Sequence, residues 1–308
     1  MINVKEGFIK VTGGKVWFRI TGNGPGIPLL VLHGGPGMKS SNSDPLRQLG
    51  RDRPVIQYDQ LGCGKSDRPT DTALWTVDRY VEELEQVIEA LQLKRVHLLG
   101  HSWGTMLAAS YLFKKPSGVR SVIFSGPALD ARRWEWDQRN YLKQFPQDIQ
   151  ETIERSEREG TTDSAEYDEA MTAYYKRHMC RVDPWPKEFE EDLKKLNHQV
   201  YNFMWGASEF TVTGTLKEFD ATGRLPEIEI PALFTCGRFD EATPEATEYY
   251  ASLVPDAEFH VFENSSHMPG IEEPEAYVEV VREWVNRQEM RPGTERRDLF
   301  SKFLKKGE

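Results

Sequence analysis

The sequence predicts an α/β fold in which a mostly parallel central sheet is covered by helices on both faces. Short apolar runs, typical of strands buried on both sides, alternate with stretches of helical periodicity. This alternation stops over residues 127–225, which carry helical signals but no strand signal. We therefore expect a core formed by residues 1–126 and 226–290, an inserted helical cap at 127–225 and a charged tail at 291–308.

Composition narrows the class of protein. A chain of 308 residues can bury a large core, and a net charge of −10 argues against nucleic acid and anionic membranes as partners. No apolar run approaches the roughly 18 residues of a membrane-spanning helix, and the start of the chain does not resemble a signal peptide. Cys63, Cys180 and Cys236 are too few for a disulfide framework. We expect a cytoplasmic protein, with its oligomeric state left open.

The elements of the core follow from apolar runs bounded by glycine and proline. The first part of the chain predicts a hairpin and then alternating strands and helices. Strands are expected at residues 7–13, 15–20, 28–33, 54–59, 96–99 and 119–125, and helices at 77–92 and after residue 103. After the cap, we expect strands at 231–237 and 257–262, a helix after Pro244 and a last helix from Pro274 to about Arg287.

The cap and the tail are predicted from the spacing of their apolar and charged residues. Four helices are expected in the cap, near residues 131–144, 147–159, 164–179 and 187–205. The charged tail holds a short apolar stripe that could dock on the body or on a partner, formed by Leu299, Phe300, Phe303 and Leu304.

The stretch Gly100-His101-Ser102-Trp103-Gly104 joins a predicted strand directly to a predicted helix. A Gly-x-Ser-x-Gly turn in this context holds the serine in a strained conformation that pushes its hydroxyl clear of the sheet. The first N–H groups of the helix then lie beside that hydroxyl. The pattern therefore predicts that Ser102 is a nucleophile.

A serine nucleophile needs a base, and the base needs a carboxylate that orients it. Functional loops of a parallel sheet follow the carboxyl ends of its strands. Of the seven histidines, His267 alone lies in the loop after the last predicted strand, and Asp240 follows the strand before it. The order Ser102, Asp240, His267 is the one expected with this turn. Glu263 is the alternative residue for the orienting role.

A tetrahedral oxyanion needs two fixed donors, and we expect the backbone N–H groups of Trp103 and Gly35 to supply them. Gly35 belongs to the loop His33-Gly34-Gly35-Pro36-Gly37, and we expect His33 to orient this loop. We expect His101 to orient the turn at Ser102 in the same way. Asp59 is expected to brace the glycine loop that follows it in the chain. Gly64-Lys65-Ser66 is not a phosphate-binding loop, because Asp59 stands where that motif needs glycine. We expect neither metal nor cofactor, and serine at the turn excludes a carboxylate nucleophile.

These motifs resemble the proline iminopeptidase family, serine aminopeptidases of the α/β-hydrolase superfamily, over nearly the whole chain except the tail. The resemblance extends to the archaeal aminopeptidase that acts with the tricorn protease and to related amino-acid amidases. It is carried by His33-Gly34-Gly35-Pro36-Gly37, Asp59-Gln60-Leu61-Gly62-Cys63-Gly64-Lys65-Ser66, Gly100-His101-Ser102-Trp103-Gly104, Gly237-Arg238-Phe239-Asp240-Glu241 and Ser266-His267.

The resemblance implies an α/β-hydrolase that cleaves the amide bond after an N-terminal residue with a free amine, through an acyl-enzyme. Glu209 and Glu241 match the family's acidic residues that hold this amine, and Trp205 is expected to line the substrate pocket. A buried ammonium needs such carboxylates, since an unpaired buried charge is costly.

The specificity stays open at this stage. Thr105 stands where many members of the family have another glycine, and the aromatic cap sequence differs from that of strictly proline-specific members. A preference for proline, a broad preference for uncharged or hydrophobic first residues, and small amino-acid amides are all compatible with the sequence. The alternatives of another class are a carboxylesterase or lactonase that acts on neutral substrates, and a non-catalytic ligand receptor on the same fold.

Overall fold

The computed structural model describes residues 2–291, so nearly all of the predicted tail, including its apolar stripe, lies outside the described residues. The described part of the chain contains one eight-stranded sheet. Its strands are β1 (Val4–Val11), β2 (Gly14–Thr21), β3 (Leu29–Leu32), β4 (Val55–Tyr58), β5 (Val96–His101), β6 (Val119–Ser125), β7 (Ala232–Gly237) and β8 (Ala257–Phe262).

Ten α-helices accompany the sheet over residues 2–291. They are α1 (Val77–Ala90), α2 (Trp103–Leu112), α3 (Ala131–Leu142), α4 (Gln147–Glu159), α5 (Ala165–His178), α6 (Lys187–Lys194), α7 (His198–Met204), α8 (Pro244–Leu253), α9 (Pro269–Glu272) and α10 (Pro274–Met290). None of these described helices is long and apolar enough to cross a membrane.

The strand order is β1-β2-β4-β3-β5-β6-β7-β8. Strand β2 is antiparallel to both of its neighbours, and the pairs from β4 to β8 are all parallel. The carboxyl ends of β3, β5, β6, β7 and β8 therefore meet at one edge of the sheet. This arrangement confirms the predicted α/β fold with a mostly parallel sheet.

The two faces of the sheet are buried in two separate apolar clusters. Leu30 and Leu32 of β3 pack into the larger cluster, which also contains the buried side chains of α1 and α2. Leu29 and Val31 point to the other face and pack with Trp284 of α10. This alternation follows from the two-residue period of a strand, and it explains why the sequence of β3 is continuously apolar.

One predicted helix, residues 187–205, is wrong as a single element because the structure divides it into α6 and α7. Asn197 lies at the break, and its side chain caps α7 by accepting a hydrogen bond from Gln199 N at 3.1 Å. Its Nδ2 donates to Gly62 O at 2.8 Å, and its backbone N donates to Gly37 O at 3.1 Å. The chain therefore bends at Asn197 to contact both glycine loops.

Several short elements were not expected. A 3₁₀ segment spans Ser40–Arg51, and the short helix α9 follows the loop that holds His267. The described residues between β6 and β7 form helices, loops and isolated bridges, and Asn197 and His178 among them contact loops at the carboxyl edge of the sheet. The division of the chain into a core and a cap stays our proposal.

Candidate active site

Ser102 lies at the sharp turn between β5 and α2, with φ 53° and ψ −123°. A Cβ atom at Gly104 would collide with the carbonyl oxygen of Leu32, and one at Gly100 would collide with the carbonyl of Gly104. Only glycine lets β3, β5 and α2 approach so closely. The turn therefore combines a strained serine with two glycines that its packing requires.

Thr105 fixes this turn from within the first turn of α2. Its Oγ1 donates to Ser102 O at 2.6 Å and accepts from Ala128 N at 3.1 Å. Ser102 N in turn donates to Ser125 O at 3.0 Å. Thr105 thus ties the serine turn to the segment that follows β6.

Asp240 and His267 meet at the same edge of the sheet. His267 Nδ1 lies 2.7 Å from Asp240 Oδ1, and both side chains are almost completely buried. Ala242 N donates to Asp240 Oδ1 at 2.7 Å and Gly237 N donates to Oδ2 at 3.1 Å, so the carboxylate is held on both oxygens. Glu263, the alternative orienting residue, instead pairs with Arg238 on the surface at 2.6 Å, its side chain 64% exposed.

Three other elements fix the loop that carries His267. His101 Nε2 donates to His267 O at 2.9 Å, and His267 N donates to His178 O at 3.2 Å. A Cβ atom at Gly126 would lie 2.7 Å from His267 Cε1. The imidazole is therefore held against the serine turn, because His101 directly precedes Ser102 in the chain.

The loop after β3 packs against the serine turn. A Cβ atom at Gly34 would lie 3.1 Å from Ser102 Cβ. His33 Nε2 accepts from Gln60 N at 3.0 Å, so His33 Nδ1 carries the proton and donates to Gly34 O at 2.8 Å. Gln60 Oε1 also accepts from Trp103 Nε1 at 2.8 Å. The first glycine loop and the start of α2 are thus linked through Gln60.

Asp59 braces the second glycine loop, as predicted from its position after β4. Its Oδ2 accepts from Lys65 N at 2.8 Å and its Oδ1 accepts from Ser40 N at 2.9 Å. The carboxylate is buried and faces these backbone donors. Asp59 thereby shapes the loop that contacts Asn197.

Glu209 and Glu241 come from distant parts of the chain and are both buried, with exposed fractions of 7% and 2%. Glu209 accepts hydrogen bonds from Tyr201 OH and from Trp134 Nε1, the latter at 3.1 Å. Glu241 Oε1 lies 3.5 Å from His267 Nε2. Glu241 Oε2 is buried and has no hydrogen-bond partner among the described residues.

These acidic side chains and His267 form one buried cluster. Burial raises the pKa of Glu209 and of Glu241, and the charge of Glu209 raises that of Glu241 further. Burial alone would lower the pKa of His267, but the carboxylates of Asp240, Glu241 and Glu209 outweigh it and raise that pKa to about 9. The site is therefore set up to hold positive charge.

Comparison with known proteins places the chain in a family. The α/β-hydrolase fold model matches residues 27–274. A proline iminopeptidase of Heyndrickxia coagulans is 57% identical over 283 residues, which cover 91% of this chain and 98% of that protein. The crystal structure of a Mycobacterium smegmatis proline iminopeptidase has a TM-score of 0.85 at 33% identity, covering 92% and 98% of the two chains. The chain belongs to the proline iminopeptidase family.

A second solved structure, VinJ, superposes with a TM-score of 0.89 at 34% identity and covers 92% of this chain and 99% of its own. Membership of the proline iminopeptidase family confirms the predicted class: the protein is an enzyme, a serine hydrolase of the α/β-hydrolase superfamily and an aminopeptidase.

Sequence reasoning missed several contacts of this iminopeptidase-family site. Trp134 and Tyr201 were expected only as unspecified cap aromatics, yet both donate to Glu209. The carbonyl of His178, at the end of α5, accepts from Glu241 N and from His267 N, each at 3.2 Å. The contacts of the His178 carbonyl could not be predicted, because every residue has a backbone carbonyl. The contacts of Trp134 and Tyr201 could have been predicted, because a buried glutamate needs donors such as indole N–H and phenol O–H groups.

Trp205, the predicted pocket residue, is buried and packs edge-on against Trp134 with ring centroids 5.8 Å apart. Trp134 packs in the same way against His267 at 5.9 Å. The three rings therefore form one continuous wall from the helices between β6 and β7 to the imidazole.

Proposed function

We propose that this enzyme removes a single N-terminal residue, one that bears a free amine, from small peptides or amino-acid amides. The observation that carries the proposal is the pair of buried carboxylates, Glu209 and Glu241, beside the imidazole of His267. Such a pair of carboxylates suits a substrate ammonium. An ammonium bound there would place the carbonyl group of the same substrate residue near Ser102.

In the proposed acylation step, Ser102 Oγ attacks the carbonyl carbon while His267 Nε2 takes its proton. Asp240 keeps Nδ1 protonated through the 2.7 Å hydrogen bond and so leaves Nε2 to act as the base. The N–H groups of Trp103 and Gly35 stabilise the oxyanion. The C–N bond breaks when Nε2 returns the proton to the leaving amine, which leaves an ester on Ser102.

Deacylation repeats the same steps with water in place of the serine. His267 takes a proton from a water molecule, which attacks the ester carbonyl, and the oxyanion forms again at the same donors. The ester C–O bond breaks, Ser102 regains its proton from His267, and the free amino acid leaves. No metal or cofactor enters this proposal.

The two glutamates account for the limit to one N-terminal residue. An ammonium that enters a buried site loses its water, and this is favourable only where carboxylates replace that water. No donor among residues 2–291 reaches Glu241 Oε2, whereas Glu209 is already held by Tyr201 and Trp134. A residue without a free amine cannot supply the matching charge, so internal peptide bonds are excluded.

The side chain of the first residue is proposed to contact the aromatic wall of Trp134 and Trp205. This wall carries no charge toward a substrate side chain, so proline or another uncharged residue fits it better than lysine or glutamate. The relatives named above suggest proline first among these, and amino-acid amides are the simplest substrates of the same kind.

The proposal is tested with prolyl p-nitroanilide and its N-acetylated counterpart. We expect kcat/KM to fall by about thirtyfold or more on acetylation, because truncating one member of a buried charge pair costs about 2–5 kcal/mol. The Ser102→Ala variant serves as the baseline and should hydrolyse neither compound. Equal rates on the two compounds would show that the amine is not recognised.

We also propose that the enzyme works in the cytoplasm and that residues 127–225 form a separate cap. Supporting the first, all three cysteines are buried and unpaired, as suits a reducing compartment. Supporting the second, the helices α3 to α7 interrupt the alternation of strands and helices between β6 and β7.

A further inference from the structure

Glu241 contacts the one nitrogen that the reaction needs free. His267 Nδ1 is engaged by Asp240 at 2.7 Å, so the proton of Ser102 must go to Nε2. Glu241 Oε1 lies 3.5 Å from that same Nε2, within the range of an ion pair. The imidazole is thus held between two carboxylates, one on each ring nitrogen.

This arrangement does not suit a base at rest. If Nε2 carries a proton, the ring is a cation paired with Glu241 and cannot accept another proton. If Glu241 carries that proton instead, its carboxyl oxygen still lies 3.5 Å from Nε2 and competes with Ser102 for the nitrogen. With either placement of the proton, Glu241 opposes the transfer of the Ser102 proton to Nε2.

We propose that the substrate's own ammonium switches on the base: by pairing with Glu241, it releases His267 Nε2 to take the proton of Ser102. The proposal rests on the proposed function, since it needs the ammonium to bind at Glu209 and Glu241. Binding then expels one proton from the His267–Glu241 pair to solvent, and the positive charge of the ammonium replaces it. Substrates without a free amine lack both the anchor and the release.

The other charged groups around His267 are consistent with this role. The titratable residues that face the ring and its loop are Asp240, Glu241, Glu209, His101, His178 and Glu272. Glu272 accepts from Ser266 N at 2.9 Å and from Met268 N at 3.1 Å, so it holds the loop and not the ring. His101 stays neutral, because burial and the neighbouring His267 lower its pKa to about 4. Glu209 is held by Tyr201 and Trp134, whereas Glu241 Oε2 has no partner among the described residues. Glu241 is therefore the carboxylate that is both in contact with Nε2 and open to a new partner.

The backbone of Glu241 is anchored, so its side chain can change partner without a loop movement. Gln138 Nε2 donates to Glu241 O at 2.8 Å, and Glu241 N donates to His178 O at 3.2 Å. Both anchors come from helices between β6 and β7. Removing the carboxylate charge by Glu241→Gln should therefore leave the loop in place.

The test compares two substrates over a range of pH. For p-nitrophenyl acetate, which has no amine, the acid limb of kcat/KM reports the protonation of His267 in the free enzyme. Glu241→Gln should move this limb to lower pH by at least about one unit, and so raise the rate at pH 7 by about tenfold per unit. The same variant should lose activity on prolyl p-nitroanilide.

Opposite effects on the two substrates separate this role from a structural one. If Glu241→Gln lowers both rates equally, or leaves the acid limb of the ester unmoved, the proposal is overturned. Glu245→Gln is the matched control, because Glu245 is an exposed acid four residues along the chain and should leave both profiles unchanged. Equal wild-type kcat/KM values for prolyl p-nitroanilide and its N-acetylated counterpart would instead refute the proposed function, whatever the pH profile of the ester shows.

A second measurement needs no variant. Ethylammonium chloride should accelerate hydrolysis of p-nitrophenyl acetate by the wild-type enzyme at pH 7, because it supplies the missing cation at Glu241. Potassium chloride at the same ionic strength should not. No acceleration, or equal acceleration of Glu241→Gln, would contradict the release of the base by the ammonium.

Discussion

Two acidic residues could have oriented His267, and the structure distinguishes them by their surroundings. Asp240 is completely buried and accepts hydrogen bonds from two backbone N–H groups in addition to His267. These donors fix both carboxylate oxygens, so Asp240 holds the imidazole in one orientation during the reaction. Glu263 is exposed and paired with Arg238, so neither its position nor its partner suits that role.

We predict that Asp240→Asn lowers kcat on prolyl p-nitroanilide by about 10³–10⁴-fold, because an amide favours the wrong tautomer of His267. Steady-state kinetics measure the loss, and an unchanged melting temperature shows that the fold is intact. Glu263→Gln is the matched control and should retain wild-type kcat. A comparable loss of kcat in the Glu263 variant would transfer the orienting role to that residue.

At the scale of single elements, the turn between β5 and α2 depends on packing more than on local propensity. Gly104 is the second residue of α2, where alanine would ordinarily be the better helix former. Its Cα lies so close to the carbonyl of Leu32 in β3 that no side chain fits. The close approach of α2 to the sheet is therefore what fixes the position of Ser102.

We predict that Gly104→Ala destabilises the enzyme by about 1–3 kcal/mol or more, because the added methyl group meets backbone that cannot move aside. Thermal unfolding measures this effect, and labelling of Ser102 by a fluorophosphonate probe measures the loss of the reactive turn. Gly223→Ala is the matched control, since a Cβ atom there meets nothing within 4 Å. Equal stability of the two variants would contradict the packing argument.

At the scale of the whole molecule, one apolar cluster joins the sheet to the helices that follow β6. Leu32 and Phe124 of the sheet belong to the same cluster as Trp134, Met204 and Trp205. A contiguous core of this kind unfolds as a unit unless one part has a sufficient core of its own. A smaller separate cluster within α3 to α5 holds Phe145 and Tyr174.

We predict that the sheet and these helices unfold together on heating. Far-ultraviolet circular dichroism follows the helices of the whole chain, and tryptophan fluorescence follows Trp134 and Trp205 among others. Their melting midpoints should coincide, because the larger cluster and the hydrogen bonds that His178 O accepts span both parts. A fluorescence transition several degrees below the dichroism transition would show that the helices between β6 and β7 unfold first.

The sequence by itself determined the alternation of strands and helices, the turn at Ser102 and the presence of Asp240 and His267 at strand ends. These features are local, since hydrophobic period, glycine spacing and position after a strand can all be read along the chain. The assignment of Glu209 and Glu241 as amine-binding residues came from resemblance to a family, because no hydrophobic period or motif spacing marks them. The roles of all these residues remain proposals.

The tertiary structure alone decided which groups surround them. Trp134 and Tyr201 reach Glu209, the carbonyl of His178 holds the loops of Glu241 and His267, and Asn197 breaks a predicted helix to contact two glycine loops. Most of these contacts join elements far apart in sequence, and several use backbone atoms that every residue has. The proximity of Glu241 to His267 Nε2 is of the same kind, because only the folded chain brings the ends of β7 and β8 together.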